Sequence, residues 1–389
     1  MNSTPRQIVL LGATGSIGTS TVDLVRRYPE RFEIVGMTAH RSASELATLA
    51  DTFGGARLQL TGPGADAALR AERPDLAPRM QDPGPDGLLA LLEQAPGAMV
   101  VNGLVGAAGL APTVWSLERG HDVALANKEA LVVGGPLVLD AARRSGARLW
   151  PVDSEHSAIA QCLRGNPHAE LSRIWLTASG GPFRDRDPET LAEVGLDEVL
   201  DHPTWDMGPK VTVDSATMMN KGLEVLEAHF LFDVPIERIE VVVHRESIVH
   251  SLIELRDGAF LAQMGAPDMR VPILYALGEG EHLASAVAPW SPLEAPTLHF
   301  EAPDRRRYPC LDLARRAGEV AGAAPIVLNA ANEVAVAALL RGELSFGRIP
   351  GVIERALERI PLDPVGSVDE ALRRDRDTRE QTAEWLRRS

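Results

Sequence analysis

Residues 7–18 read QIVLLGATGSIG: an apolar, partly β-branched run, then glycines at 12, 15 and 18, then the first positions of a helical pattern. A strand that passes through a glycine turn into a helix is the opening unit of a doubly wound parallel sheet. The following residues keep that rhythm. FEIVGM (32–37), AMVVNGLV (98–105), DVALA (122–126) and ARLWPV (147–152) are short apolar runs separated by stretches of helical spacing,. Residues 1–150 are therefore expected to form one α/β domain around a parallel sheet.

The chain has 389 residues, too many for one typical core, so two or three domains are expected,. A formal charge of −15 argues against nucleic acid or an anionic membrane surface as a partner, because neutralising phosphates takes an excess of Lys and Arg,. A small anionic substrate stays open, since a few local cations suffice. With only two cysteines, Cys162 and Cys310, there is no disulfide framework and no CxxC pair, which fits a reducing cytoplasm,. The N-terminal run goes straight into glycines and reads as a strand rather than a signal peptide. No segment approaches the roughly 20 apolar residues that span a bilayer.

Beyond residue 150 the pattern changes. Residues 151–280 contain a glycine turn TASGGPF (177–183), a Pro/Gly/Trp loop DHPTWDMGPKV (201–211), a helix, and RIEVVVHRESIVHSLIELRDGAFLAQMG (238–265). The last reads as antiparallel strands with Asp257-Gly258 as the hairpin turn. This central segment is expected to be an α+β domain with an antiparallel sheet. Residues 281–304 carry Pro289, Pro292, Pro296 and Pro303 and read as a linker,. Residues 305–389 have helical spacing, and Ser367 with Glu370 forms a capping-box pattern,.

Gly12, Gly15 and Gly18 allow backbone N–H groups and a helix N-terminus to approach a pyrophosphate, as in a Rossmann-like dinucleotide site. The spacing departs from G-x-G-x-x-G, but strand, turn, helix and position agree. At the end of the second strand, where an acid would bond the ribose of NAD, this chain has His40, Arg41 and Ser42. Arg41 suits a 2′-phosphate, so NADPH is expected over NADH; the alternative is that Arg41 caps a solvated loop.

PVDSEHSA (151–158) sets Asp153 and Glu155 one residue apart. In an extended chain they share a face and offer two hard oxygen ligands for Mg²⁺ or Mn²⁺, although most such pairs are simply solvated. VDSATMMNKGLEVLEAHFLF (213–232), drawn as one helix from about Ser215, puts Met219, Leu223, Leu226 and Phe230 on a core stripe and Asn220, Lys221 and Glu224 opposite,. That polar face is either solvated or the source of a third metal ligand, Glu224. Ser215 at a helix N-terminus, Asn220, Lys221 and Ser179 in its glycine turn together describe a phosphate site. The loop carrying Trp205 and Met207 is either a lid over substrate or an exposed loop. His156, His202 and His250 are each more often structural, and no HxH or HxxxH spacing lies near the acids, so an oxygen-ligand metal is preferred to zinc.

GATGSIG (12–18), ANKEALV (126–132), PVDSEHSA, SGGPF (179–183), the run 202–232 and NAANE (329–333), in this order, closely resemble the 1-deoxy-D-xylulose 5-phosphate reductoisomerase family over nearly the whole chain. The resemblance implies rearrangement of 1-deoxy-D-xylulose 5-phosphate and NADPH reduction to 2-C-methyl-D-erythritol 4-phosphate. It implies Asp153, Glu155 and Glu224 as ligands of Mg²⁺ or Mn²⁺, with Co²⁺ as a further candidate. Ser154, Glu155, Ser179, Ser215, Asn220, Lys221 and Glu224 would bind substrate, mostly at its phosphate. His202, Trp205 and Met207 would belong to a closing lid, with His202 also catalytic. Lys128 would face substrate and nicotinamide. Thr14, Gly15, Ser16, Ile17, Arg41, Ser42, Asn127, Glu129, Met207 and Gly208 would line the cofactor, and the family implies a homodimer. His40-Arg41-Ser42 departs from the Gly-Lys-Asn type sequence of some members, which passes the cationic role to Arg41. A semialdehyde or polyol dehydrogenase without an isomerase step, which needs no three-carboxylate site, and a non-catalytic NADP sensor are the competing readings.

Overall fold

The structure is a computed structural model in which residues 4–166, 168–202, 208–284, 287–293 and 297–388 are described. The chain forms two compact units, one of residues 1–127, 138–153 and 268–287, the other of residues 128–137, 154–267 and 288–389.

In the first unit the elements run β1 (Arg6–Leu11), α1 (Ser16–Arg27), β2 (Phe32–Ala39), α2 (Ala43–Thr52), β3 (Arg57–Leu60), α3 (Ala65–Glu72), α4 (Pro85–Glu93), β4 (Met99–Asn102), α5 (Leu110–Glu118) and β5 (Val123–Leu125). Then follow α6 (Lys128–Ser145), shared between the units, and β6 (Leu149–Pro151). The strands form one sheet in the order β3-β2-β1-β4-β5-β6, with every neighbouring pair parallel. β1 is central, which is why its apolar run is continuous rather than alternating: Ile8, Val9 and Leu10 are fully buried,. Burying each such side chain contributes roughly 1.5–3 kcal/mol.

The glycine turn lies where the strand order reverses, at the switch point of such sheets,. Gly12 has φ +83°, and its N–H donates to the Thr38 carbonyl at 3.2 Å. At Gly18 a Cβ would stand 2.4 Å from the Gly12 carbonyl oxygen, so only glycine lets α1 close onto the turn,.

The second unit begins with α7 (Ser154–Leu163) and continues through β7 (Leu171–Ala178), α8 (Leu196–Leu200), α9 (Pro209–Ala216), α10 (Met219–Phe232), β8 (Ile239–Val243), β9 (Val249–Leu255) and β10 (Phe260–Met264). After α11 (Arg270–Leu277), which belongs to the first unit, come α12 (Pro309–Val320), α13 (Ala324–Leu340), α14 (Ile349–Arg359) and α15 (Val368–Arg387). The sheet order is β10-β9-β7-β8. The expected antiparallel sheet is in fact mixed: β9 pairs antiparallel with β7 and β10, but β8 runs parallel to β7. Between β7 and β8 the chain crosses over through α8, α9 and α10, and a helical crossover is the connection that parallel neighbours require,.

The Asp257-Gly258 hairpin forms as expected, with Gly258 at φ +85° and Asp257 Oδ1 accepting from the Ala259 N–H at 2.9 Å. The Ser367 hydroxyl caps α15 by accepting from the Glu370 N–H at 3.2 Å. One core joins this sheet to α10, α12, α13 and α14 through Ile174, Leu223, Ala314, Val327 and Ile353. The close approach of α10 to α12 depends on Gly222, where a Cβ would lie 2.5 Å from the Ala314 Cβ.

Candidate active site

Two helix starts build the site. β6 ends at Pro151 and α7 begins at Ser154, so the chain has left strand geometry before Asp153, and the extended reading of residues 151–155 does not hold. Asp153 is the last residue of the first unit, while Ser154 and Glu155 open α7 in the second. A first-turn carboxylate is favoured there by the unpaired N–H groups of the helix start. Ser154, which strand alternation would turn to the opposite side from Asp153 and Glu155, instead opens α7,.

The run 213–232 is likewise not one helix. α9 ends at Ala216, Met218 takes a left-handed conformation (φ +62°), and α10 starts at Met219. Ser215 therefore sits at a helix C-terminal end, and the residues at a helix N-terminus are Asn220 and Lys221, with Glu224 one turn on. The predicted core stripe is right for Met219, Leu223 and Leu226, all fully buried. The opposite face is not solvated: Lys221 is 3 % and Glu224 1 % exposed.

Lys221 Nζ donates to Glu155 Oε1 at 2.8 Å and also to Glu224 Oε2. Lys128 Nζ donates to Asn220 Oδ1 at 3.0 Å and to Glu224 Oε1 at 3.3 Å, and Asn220 Nδ2 donates to the same Oε1 at 2.6 Å. The Ser154 hydroxyl donates to Glu155 Oε2 at 2.7 Å. Burial raises the Glu155 pKa, but the Lys221 ammonium, its hydrogen bond and that of Ser154 outweigh it and hold the value at about 2,. Burial pulls Lys221 the other way, and the carboxylates of Glu155 and Glu224 more than offset it, so its pKa is raised. Both carboxylates are thus directed at one cationic atom. Such a convergence of hard anionic oxygens fits Mg²⁺ or Mn²⁺ better than a soft metal.

His156 is fully buried behind this cluster, and burial lowers its pKa to about 4. Its Nε2–H donates to the Glu224 carbonyl oxygen at 2.9 Å, while Nδ1 lies 3.3 Å from Glu227 Oε2. It ties α7 to α10 at the level of Glu224. Burial also lowers the pKa of His250, whose ring bonds the backbone of Gly265 and Ala266.

Ser179 stands in a turn whose next two residues, Gly180 and Gly181, have φ +84° and +64°. Its Oγ lies 3.1 Å from His202 Nε2. A Cβ on Gly181 would sit 2.7 Å from the Ser215 carbonyl oxygen, so the glycine brings this turn against the end of α9. Ser179, His202 and Ser215 thus share one neighbourhood. Trp205 and Met207 lie outside the described residues, and Gly208 precedes α9 as its N-cap.

In the first unit, Gly15 precedes α1 at Ser16 with no acid in its first turn, and Thr14 and Ile17 flank that start. Arg41 and Ser42 follow β2 at the surface, and Gly62 packs close to the Arg41 stem. Asn127 serves a structural purpose: it is buried, with Nδ2 donating to the carbonyls of Leu104 and Gly106, both at 3.0 Å.

Sequence profiles of the 1-deoxy-D-xylulose 5-phosphate reductoisomerase family match residues 8–135, and those of its C-terminal domains match 149–232 and 264–381. The reductoisomerase of Synechococcus sp. (strain JA-2-3B'a(2-13)) is 49 % identical over 384 residues, 97 % of this chain and 96 % of that protein. That of Gloeobacter violaceus is 49 % identical over 389 residues, 98 % and 97 % of the two. The chain belongs to the 1-deoxy-D-xylulose 5-phosphate reductoisomerase family. The fold agrees: the reductoisomerase from Zymomonas mobilis in complex with NADPH superposes with a TM-score of 0.91 at 38 % identity, covering 98 % of this chain and 99 % of that one. A reductoisomerase in complex with NADPH, fosmidomycin and magnesium gives 0.92 at 36 % identity, covering 98 % of each.

Within this reductoisomerase fold, the second unit draws together Lys128, Ser154, Glu155, Asn220, Lys221 and Glu224 by direct bonds. Lys210 was not among the expected site residues. Its Nζ reaches Glu129 Oε1 at 2.5 Å and Asp214 Oδ2 at 2.9 Å, so the Glu129 carboxylate is held inside the protein. The i, i+4 spacing of Lys210 and Asp214 was visible in the sequence, but in a proline-led loop region it had no helix to sit on. His156 and Glu227 as the support of α10 left no signal beyond their spacing.

Proposed function

We propose that this protein carries out the NADPH- and divalent-metal-dependent isomerisation and reduction of 1-deoxy-D-xylulose 5-phosphate to 2-C-methyl-D-erythritol 4-phosphate, a step of non-mevalonate isoprenoid precursor synthesis. The observation that carries the reading is the bonded cluster of Glu155, Lys128 and Asn220 around the buried Glu224 and Lys221, which a simple dehydrogenase has no use for.

Asp153, Glu155 and Glu224 would hold Mg²⁺ or Mn²⁺, which supplies Lewis acidity toward the substrate's oxygens, while NADPH, along Thr14 to Ile17 with Arg41 and Ser42 toward its 2′-phosphate, supplies the hydride. Ser179, Ser215, Asn220 and Lys221 offer two hydroxyls, an amide and an ammonium to the phosphate. Lys221 is already shared by two carboxylates, so it reaches a phosphate only by exchanging those partners. Lys128 holds a positive charge beside Glu224, where negative charge developing on substrate oxygen is stabilised,. His202, next to Ser179, belongs to the edge of the phosphate neighbourhood, and burial with the nearby Arg184 charge lowers its pKa.

The test is NADPH oxidation with 1-deoxy-D-xylulose 5-phosphate, run with and without divalent metal and with NADH in place of NADPH. Turnover is expected only with metal, and preferentially with NADPH. No consumption with metal overturns the assignment, metal-independent turnover favours the dehydrogenase, and a preference for NADH removes the role given to Arg41.

This reading includes a homodimer in the cytoplasm, the reducing compartment that two cysteines without a disulfide framework fit,. Among the described residues no helix is long and apolar enough to cross a membrane. The mixed sheet is the expected pairing face, since its edge strand β10 leaves Phe260 52 % exposed,. Light scattering should give twice the chain mass at assay concentration; a monomer mass counts against the pairing.

A further inference from the structure

NAANE (329–333) has no part in the reading above, yet it begins a buried polar chain that ends one residue from Lys128. Asn332, fully buried on α13, donates from Nδ2 to Asp214 Oδ1 at 2.8 Å. The other oxygen of that carboxylate takes Lys210 Nζ at 2.9 Å, and the same ammonium donates to Glu129 Oε1 at 2.5 Å. Asp214 is 1 % and Glu129 6 % exposed. Glu333 is tied to Asn329 at 2.9 Å and to Arg379 of α15 at 2.8 Å, which anchors this part of α13 in turn.

The start of α6 needs such an anchor. The helix is broken at Gly134 (φ −141°, ψ 28°), with Pro136 just beyond, so residues 128–133 form fewer than two turns,. A helical piece that short has little stability of its own. Its far end is fixed by Gly135 under the Phe230 ring, where a Cβ would come within 2.5 Å. Its near end, which carries Lys128, is fixed by Glu129.

We propose that Lys210, oriented by Asp214 and Asn332, is a positioning residue for Lys128: it holds the Glu129 carboxylate and so sets the first turn of α6 against Asn220 and Glu224. The proposal rests on the functional reading given above. One ammonium serves two buried carboxylates, and the Asn332 amide donates to the Asp214 oxygen that the ammonium does not take,. The NAANE stretch is thereby linked through side chains to Glu129, and from there through the first turn of α6 to Lys128.

The test uses Lys210→Met/Asp214→Asn, which removes one charge of each sign, keeps the net charge of the cluster and takes the ammonium away from Glu129, and Asn332→Ala, which alters no charge. In both, hydrogen–deuterium exchange by mass spectrometry should show faster exchange in peptides covering residues 128–133, with the β7–β9 peptides unchanged. For the double variant, kcat should fall at least about tenfold while KM for the sugar phosphate shifts by less than about threefold. Asn332→Ala should lose kcat by a smaller factor, about three to five. Wild-type protection of residues 128–133, or wild-type kcat in either folded variant, overturns the proposal. The exchange readout does not depend on turnover, so a wild-type protein that fails to consume NADPH would overturn the functional reading and leave the clamp to be judged by exchange.

Discussion

Replacing Glu224 by glutamine lowers kcat by roughly 10³-fold or more, while NADPH affinity stays within about twofold of wild type. The size follows from what the carboxylate does. Oε1 accepts from Asn220 and Lys128, and Oε2 accepts from Lys221. Glutamine keeps the shape but replaces one acceptor with an NH₂ group, which must then face either an ammonium or the Asn220 amide donor. It also removes one of two anionic charges converging on a single cation, so the buried Lys221 and the partly buried Lys128 are left with Glu155. Breaking a buried pair on one side costs about 3–5 kcal/mol, which spans the predicted loss in rate. Thr14 to Ile17 and Arg41, the residues proposed for the dinucleotide, belong to the other unit, so cofactor binding is expected to stay unchanged. Steady-state kinetics at saturating metal, with an NADPH fluorescence titration alongside, check both halves. Near-wild-type turnover would remove Glu224 from the site, and an equal loss of NADPH affinity would show that the damage is general.

Lys221→Ala raises KM for the phosphorylated substrate by about 10²-fold, a larger factor than its effect on kcat, because a buried, charge-assisted contact is worth about 2–5 kcal/mol. The fold supplies a second consequence. Without the ammonium, the partly buried Glu155 and the buried Glu224 face each other's charge, so the metal-free variant should melt well below wild type,. Added Mg²⁺ should then raise the melting temperature of the variant more than that of wild type, because it replaces the missing positive charge. A KM equal to wild type would take Lys221 out of phosphate binding, and an equal Mg²⁺ shift in the two proteins would mean that the carboxylates do not hold the metal.

The residues of this site were legible one by one, and their arrangement was not. Strand alternation predicts a shared face for Asp153 and Glu155, yet Glu155 takes its place in the first turn of α7,. Asn220, Lys221 and Glu224 were placed opposite the core stripe, and periodicity could not say that another helix start and the turn of α6 would cover that face. Nothing local marks Met218 as the left-handed break, so the sequence alone reads Ser215 as a helix start; a methionine there is held by its surroundings,. The parallel pairing of β8 with β7 was hidden for a related reason, since the hairpin at Asp257-Gly258 is a local signal and the crossover is not.

The sequence by itself determined the parallel sheet of the first unit, the glycine turn at its switch point, the hairpin, the cap of α15 and the identities of the acidic and cationic side chains. All of these rest on interactions within a few residues or on a period along one element. Only the tertiary structure decided that Lys221 sits between Glu155 and Glu224, that His156 supports α10, and that Asn332 and Lys210 end beside Lys128. Those contacts join residues 66 to 118 positions apart, and their charges can be buried only because the partners arrive together,.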